Sequence, residues 1–178
     1  MSIQLHDKTF VPFISTNDVQ QAVVRVAGEI NTHYAAKSPV LLPVLDGAFM
    51  LAADLAKHLS VKAHFSFIKY KSYHNTQSTG KVASLLGLDI DIAGKDVIIV
   101  EDIIDTGLTV SYLLQELAKH NPASVKVAAL LTKPDALQVP LTIDFKGIEI
   151  ENRFVVGYGM DYNGLGRNLD CVYVLAGN

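Results

Sequence analysis

Little in this chain suits cross-linking, crossing a bilayer or holding a polyanion by bulk charge. A single cysteine, Cys171, excludes an internal disulfide and a four-cysteine zinc site, and it fits a reducing compartment. The longest stretch free of Asp, Glu, Lys and Arg runs only from Thr106 to Gln115, too short for a membrane span. Residues 1–13 lack a basic patch followed by an apolar run, so no secretory leader is expected, and there is no Asn-x-Ser/Thr site. Lys plus Arg number 15 against 18 Asp plus Glu, a formal net charge of -3. That balance excludes attachment to nucleic acid or an anionic membrane by general attraction. No G-x-x-x-x-G-K-[ST] loop occurs. No repeat, low-complexity tract or long linker divides the 178 residues, so one domain is expected, with 49% hydrophobic residues to form its core. The reading so far is a soluble, cytoplasmic protein.

What is present alternates. Val19, Ala22, Val23, Val26, Ala27, Ile30 and Tyr34 recur at three- and four-residue steps, which predicts a helix near 17–37, and Ser15 with Asp18 resembles a capping box at its start. The apolar run Val40 to Leu45 ends at Asp46-Gly47 and is followed by a helical pattern from Ala48 to Leu59. Val61 to Tyr70 reads as a strand, and Lys71 to Gly80 as an exposed polar loop. Asp96 to Ile104 is a near-continuous apolar run with acids at its end; a helix follows from about Thr109 to His120, stopped by Asn121-Pro122. Val125 to Leu131, Phe154 to Gly157 and Cys171 to Leu175 are further strands. Apolar strands alternating with helices predict an α/β fold, a mainly parallel twisted sheet with helices on both faces. Such sheets bind ligands beyond the carboxyl ends of their strands, here just after Leu45, Ile104 and Leu131.

The segment Glu101-Asp102-Ile103-Ile104-Asp105-Thr106-Gly107-Leu108-Thr109 concentrates the chemistry. A helix start with two hydroxyls and a glycine is an anion site, because first-turn amides lack intrahelical partners and Gly107 admits a phosphate closely. Three carboxylates beside a phosphate would repel it unless a cation or sugar hydroxyls lie between. The segment therefore points to a ligand with a phosphate, a diol and Mg²⁺, which commonly bridges one or two carboxylates to phosphates. Helix capping would account for Asp105 but not for Glu101 and Asp102 at the end of a buried strand.

This segment resembles the phosphoribosyl-diphosphate motif of the type I phosphoribosyltransferases. Leu45-Asp46-Gly47-Ala48-Phe49, Ser72-Tyr73 through Gln77-Ser78-Thr79-Gly80, Lys133, and Phe154 through Asn163 resemble the hypoxanthine-guanine members, in order from about Val40 to Leu175. The resemblance implies Mg²⁺-dependent transfer of ribose 5-phosphate from phosphoribosyl diphosphate to a 6-oxopurine, giving a nucleoside monophosphate and pyrophosphate. It implies that Asp105, Thr106, Gly107, Leu108 and Thr109 cradle the 5-phosphate, while Glu101 and Asp102 face the ribose hydroxyls and metal waters. Asp105 is the implied general base at purine N7. Lys133 would donate to the 6-oxo group, as an ammonium has only donors. Phe154 would stack on the base and the Val155 backbone would bond its edge. Asp161 matches a Mg²⁺ ligand and Arg167 an arginine near the pyrophosphate. Ser72 and Tyr73 would form the tip of a lid that excludes water. Leu45, Asp46 and Gly47 would form the pyrophosphate turn, through backbone N–H groups around a cis Leu45-Asp46 peptide. A small hood from about 1–16 and 135–178 would cover the base, and the protein would be a homodimer or homotetramer.

Three positions depart from the pattern. Asp46 stands where many relatives have lysine, reversing the local charge. Leu108 replaces a lysine of some relatives. Gly164-Leu165-Gly166 replaces bulky aromatic residues, which leaves the order of hypoxanthine, guanine and xanthine open. Two alternatives carry weight: a xanthine-preferring enzyme, and a nucleotide-sensing regulator built on the same pocket. A regulator of nucleic acid should show a basic face or an added DNA-binding segment, and neither is evident here.

Overall fold

A computed structural model describes residues 1–70, 85, 86 and 88–177. Its main layer is a sheet in the order β6-β5-β3-β7-β8-β9, with β4 pairing the outer part of β3. These strands are β3 (Val40–Leu45), β4 (His64–Phe65), β5 (Ile68–Tyr70), β6 (Leu85–Leu86), β7 (Asp96–Ile104), β8 (Ser124–Thr132) and β9 (Phe145–Glu149). All pairs are parallel except β5 with β6. A second sheet, β1-β2-β11-β10, is antiparallel and is built from β1 (Ile3–Leu5), β2 (Lys8–Ile14), β10 (Val155–Val156) and β11 (Val172–Leu175).

Both faces of the large sheet are covered, and the strand sequences show it. In β7, Ile98 and Val100 join one core with Val19, Val23, Leu51 and Leu55, while Val97 and Ile99 join the other with Val110, Leu113 and Leu117. Successive side chains point to opposite faces, so a strand buried on both sides must be apolar throughout. The first core packs under α1 (Thr16–His33) and α2 (Phe49–His58), the second under α3 (Leu108–Ala118). The capping box is realised: the Asp18 N–H donates to Ser15 Oγ at 3.2 Å, and that hydroxyl donates to Asp18 Oδ2.

The expected strand over 61–70 is two short strands, because β3 changes partner along its length. Val40 and Leu41 pair with β4, whereas Val44 and Leu45 pair with β5. Pro43, which has no N–H to give, falls at the change. The N-terminal hairpin β1–β2 and the strand β9 were not foreseen. The hairpin carries Pro12 and alternating polar residues, and β9 is interrupted by Gly147, so neither shows a strong apolar run. β9 also narrows the expected hood: it lies within 135–178 but extends the large sheet beside β8. The small sheet draws instead on 3–14 and 155–175. Among the described residues, no helix is long and apolar enough to cross a membrane.

The fold rests on β7 at its centre. Replacing the fully buried Ile98 by Ala removes contacts with α1 and α2 and should cost about 2–5 kcal/mol, lowering Tm by roughly 5–15 °C in a calorimetric scan.

Candidate active site

The carboxyl ends of β3, β7 and β8 lie side by side, and each delivers residues that the sequence singled out. β7 carries Glu101 and Asp102 within the strand itself, 7% and 9% exposed. Both side chains are buried, so their carboxylates are largely out of water. Desolvation, reinforced by the Asp102 charge, pushes the Glu101 carboxyl well above its ordinary pKa. Desolvation likewise pushes Asp102 up to about 6, partly offset by the backbone N–H of Ile103, which donates at 2.9 Å, and by the nearby Arg167 charge. The Asp161 charge acts in the opposite direction on Asp102. Asp102 thus stands within the electrostatic reach of both Asp161 and Arg167.

Beyond β7 the chain enters α3 through Gly107, whose φ of 77° lies in the left-handed region that glycine adopts without steric cost. The first turn of α3 leaves amides without intrahelical partners, which favour an anion. A cavity of about 200 Å³ opens here, lined by Glu101, Asp105, Thr106, Gly107, Thr109 and Val110, among others. Leu108 is half exposed and does not line it. Four of the five residues expected to cradle a phosphate, Asp105, Thr106, Gly107 and Thr109, are therefore gathered around one hollow, and Leu108 is not among its lining.

β8 brings Lys133 against this loop. Ile104 pairs with Thr132, and the Lys133 N–H donates to the Ile104 carbonyl at 3.0 Å. The ammonium is buried, 7% exposed, and reaches Asp105 Oδ2 at 2.9 Å. A buried lysine needs such a partner, since an isolated charge out of water is costly. The implied general base and the implied base-recognition lysine are thus held against each other.

At the end of β3 the Leu45-Asp46 peptide is cis, as the resemblance implies. Gly47 is required next: a Cβ there would overlap the Asp102 carboxylate. The acidic departure, Asp46, is met by Lys69 of β5, whose ammonium donates to both carboxylate oxygens at 2.8 and 2.7 Å. Leu45 and Lys69 are register partners, which puts the two side chains at one strand end. A lysine one strand over therefore offsets the charge that Asp46 introduces. Lys69 had no local signal in the sequence, because it is placed by strand pairing.

The small sheet and its loops carry the remaining residues that the sequence singled out. Phe154 is 40% exposed, edge-to-face with Tyr162 at 5.9 Å, and Lys8 lies over the Tyr162 ring at 4.7 Å. Val155 is buried in β10. Asp161 is engaged by Arg167 at 2.6 Å and by the Gly164 N–H at 2.6 Å. Arg167 also donates to the Gly159 carbonyl at 2.7 Å. Among the described residues, no three His, Cys, Asp or Glu side chains converge as a ready metal cage. The three carboxylates expected to face a metal, Glu101, Asp102 and Asp161, are not gathered into one, and Asp161 is held by Arg167. Ser72 and Tyr73, the expected lid tip, lie outside the described residues.

The profile of the family described as Phosphoribosyl transferase domain matches residues 15–163. A hypoxanthine-guanine phosphoribosyltransferase of Bacillus subtilis (strain 168) is 39% identical over 163 residues, 91% of each chain. A hypoxanthine-guanine-xanthine phosphoribosyltransferase of Tritrichomonas foetus is 40% identical over 162 residues, 89% of this chain and 87% of the relative. A crystal structure of a hypoxanthine-guanine phosphoribosyltransferase from Bacillus anthracis superposes with a TM-score of 0.85 at 38% identity, covering 92% of this chain and 97% of that one.

The buried acids make stability depend on pH in an unusual sense. A carboxyl whose folded pKa is raised holds its proton more tightly folded than unfolded. Asp102 therefore lowers stability as pH rises from 3.8 to about 6, and its full cost applies above that. Asp102→Asn should melt at higher temperature than the parent near about pH 8, with the difference vanishing below about pH 4. Thermal melts of both proteins across this range check it.

Proposed function

The chain belongs to the phosphoribosyl transferase domain family, and from that premise we propose that it transfers ribose 5-phosphate from phosphoribosyl diphosphate to a 6-oxopurine, hypoxanthine or guanine, in purine salvage. One observation carries the reading to these residues: Asp105 and Lys133 meet at 2.9 Å beside the helix-start hollow, in a chain that matches named enzymes of this class over nine-tenths of its length.

In this reading the 5-phosphate sits on the first-turn amides of α3, with the Thr106 and Thr109 hydroxyls beside it. The purine enters between Phe154 and the β8 end. Lys133 leaves Asp105 for the purine keto oxygen, where an ammonium can donate and an adenine amino group would offer nothing to accept. That exchange frees Asp105 to accept from purine N7–H. As N9 forms its bond to C1 of the ribose, the C1–O bond to pyrophosphate breaks and its electron pair leaves with pyrophosphate. Asp105 takes the N7 proton. Its charge also opposes the positive charge that builds on the ribose ring. Gly47 and its neighbours Leu45 and Asp46 turn their backbone toward the pyrophosphate, and Arg167 approaches it.

The donor set suits Mg²⁺. Glu101 and Asp102 are hard oxygen ligands whose raised proton affinity reflects a need for positive charge, and Mg²⁺ takes one or two carboxylates with waters and phosphates, not an all-protein cage. Glu101, Asp102 and Asp161 would hold it or its waters. When bound, the ion supplies neutralisation of phosphate charge beside these acids.

The Tritrichomonas relative's name includes xanthine, so xanthine acceptance is a second arm of the assay. A nucleotide-sensing regulator would bind the nucleotide without turnover. The same family reading gives a homodimer or homotetramer in the cytoplasm, which sedimentation of the purified protein distinguishes.

The test mixes the protein with Mg²⁺, phosphoribosyl diphosphate and each of hypoxanthine, guanine, xanthine and adenine, and follows nucleotide formation. Turnover is expected with the 6-oxopurines and not with adenine, and a chelator should abolish it. Absence of turnover with every 6-oxopurine would overturn the reading. Asp105→Asn should reduce kcat by about 10²-fold or more with an unchanged melting curve.

A further inference from the structure

Residues expected at the site are carried by both sheets, and the buried Tyr158 is one of the side chains that join the two in a shared core. From β10 the chain passes through Gly157, Tyr158 and Gly159 with φ of 100°, 47° and 101°. A left-handed tyrosine between two such glycines is uncommon and marks a turn with a specific shape. The turn is closed by reciprocal bonds between Gly157 and Met160, at 3.0 and 3.1 Å. It has no room at either glycine. A Cβ at 157 would overlap the Cys171 carbonyl, and one at 159 would overlap the Gly47 carbonyl of the pyrophosphate turn.

This backbone path sends the Tyr158 ring inward, 1% exposed, into the core shared with α1 and α2. Its hydroxyl donates to Asp54 Oδ2 of α2 at 2.6 Å. The same oxygen accepts from Gln20 of α1 at 2.9 Å, and Lys57 holds the other at 2.7 Å. Desolvation pushes the Asp54 carboxyl up, but the bonds from Lys57, Tyr158 and Gln20 outweigh it and keep the group below its ordinary pKa. Desolvation and the Asp54 carboxylate both raise the Tyr158 phenol, so it remains a donor at all ordinary pH values.

The tether acts on the site through its neighbours. Gly159 packs on Gly47, its carbonyl anchors Arg167, and Arg167 in turn grips Asp161. We propose that Tyr158, clamped by Asp54, is a positioning residue: it sets the 157–161 turn against the 45–47 turn, and so places Arg167 and Asp161 for the diphosphate end of the substrate. The assignment rests on the phosphoribosyltransferase reading, since it names the substrate end that the turn serves.

A tyrosine that served packing alone would change the folded fraction and leave KM values of the folded protein untouched. A positioning tyrosine splits them. Tyr158→Phe keeps the ring and removes the bond to Asp54. It should raise KM for phosphoribosyl diphosphate about tenfold, weaken calorimetric binding of phosphoribosyl diphosphate by the same factor, and leave KM for hypoxanthine unchanged. Asp54→Ala, which also releases Gln20 and Lys57, should raise KM for phosphoribosyl diphosphate at least as much, and adding Tyr158→Phe to it should raise KM no further, because the Tyr158 bond is already gone. Asp54→Leu, which keeps much of the volume and removes both acceptor oxygens, serves the same comparison if the alanine variant fails to fold. An unaltered KM and Kd for phosphoribosyl diphosphate in Tyr158→Phe would overturn the proposal, as would additive losses in the double variant. Lack of turnover in the parent protein would instead remove the enzymatic reading, and the binding measurement would still decide the role of Tyr158.

Discussion

Two adjacent carboxylates buried at the end of the central strand govern the design of this molecule. Glu101 and Asp102 belong to β7, where every neighbour in sequence is apolar. Keeping charge there is expensive. The surroundings are arranged to share that cost: the Ile103 amide bonds Asp102, Arg167 stands nearby, and the Gly47 turn presses close enough that no side chain fits between. Those contacts offset the charge only in part, and the raised proton affinity of both acids is what remains of that cost.

Charge is also balanced locally elsewhere on the rim. Lys133 holds Asp105, and Lys69 holds Asp46. These pairs differ in kind. The first is largely buried on the lysine side, so exchanging its partner for a ligand oxygen keeps the ammonium satisfied. The second is half exposed, so water and salt screen it. Asp46 places an acid in the 45–47 turn without leaving an uncompensated charge there. The net charge of -3 therefore says little about the site, where cations are placed singly against individual acids.

The residues singled out for the site are divided between the two sheets, so their relative placement matters. Phe154, Val155 and Asp161 ride on or beside the small sheet, while Asp102, Asp105 and Lys133 ride on the large one. A shared core already holds the two together, and the inward Tyr158, flanked by Gly157 and Gly159, adds a bond to α2 beside the 45–47 turn.

Much of this was legible in the residues themselves. The apolar runs of β3, β7 and β8 declared a sheet covered on both faces, since burial on both sides demands apolar residues at every position. The acids and hydroxyls at the end of β7 and the start of α3 could be picked out as candidate ligand-binding residues, because helix-start amides and glycine freedom are local properties. β1, β2 and β9 were not legible, as short or edge strands with proline, glycine and polar residues depend on their partners for definition. The pairing of Asp46 with Lys69, of Asp105 with Lys133, and of Tyr158 with Asp54 joins residues 23, 28 and 104 positions apart. Sequence by itself determined which groups are candidates for the chemistry, because residue type and local backbone set that. Only the tertiary structure decided which charge faces which, because strand register and core packing bring distant positions within a hydrogen bond.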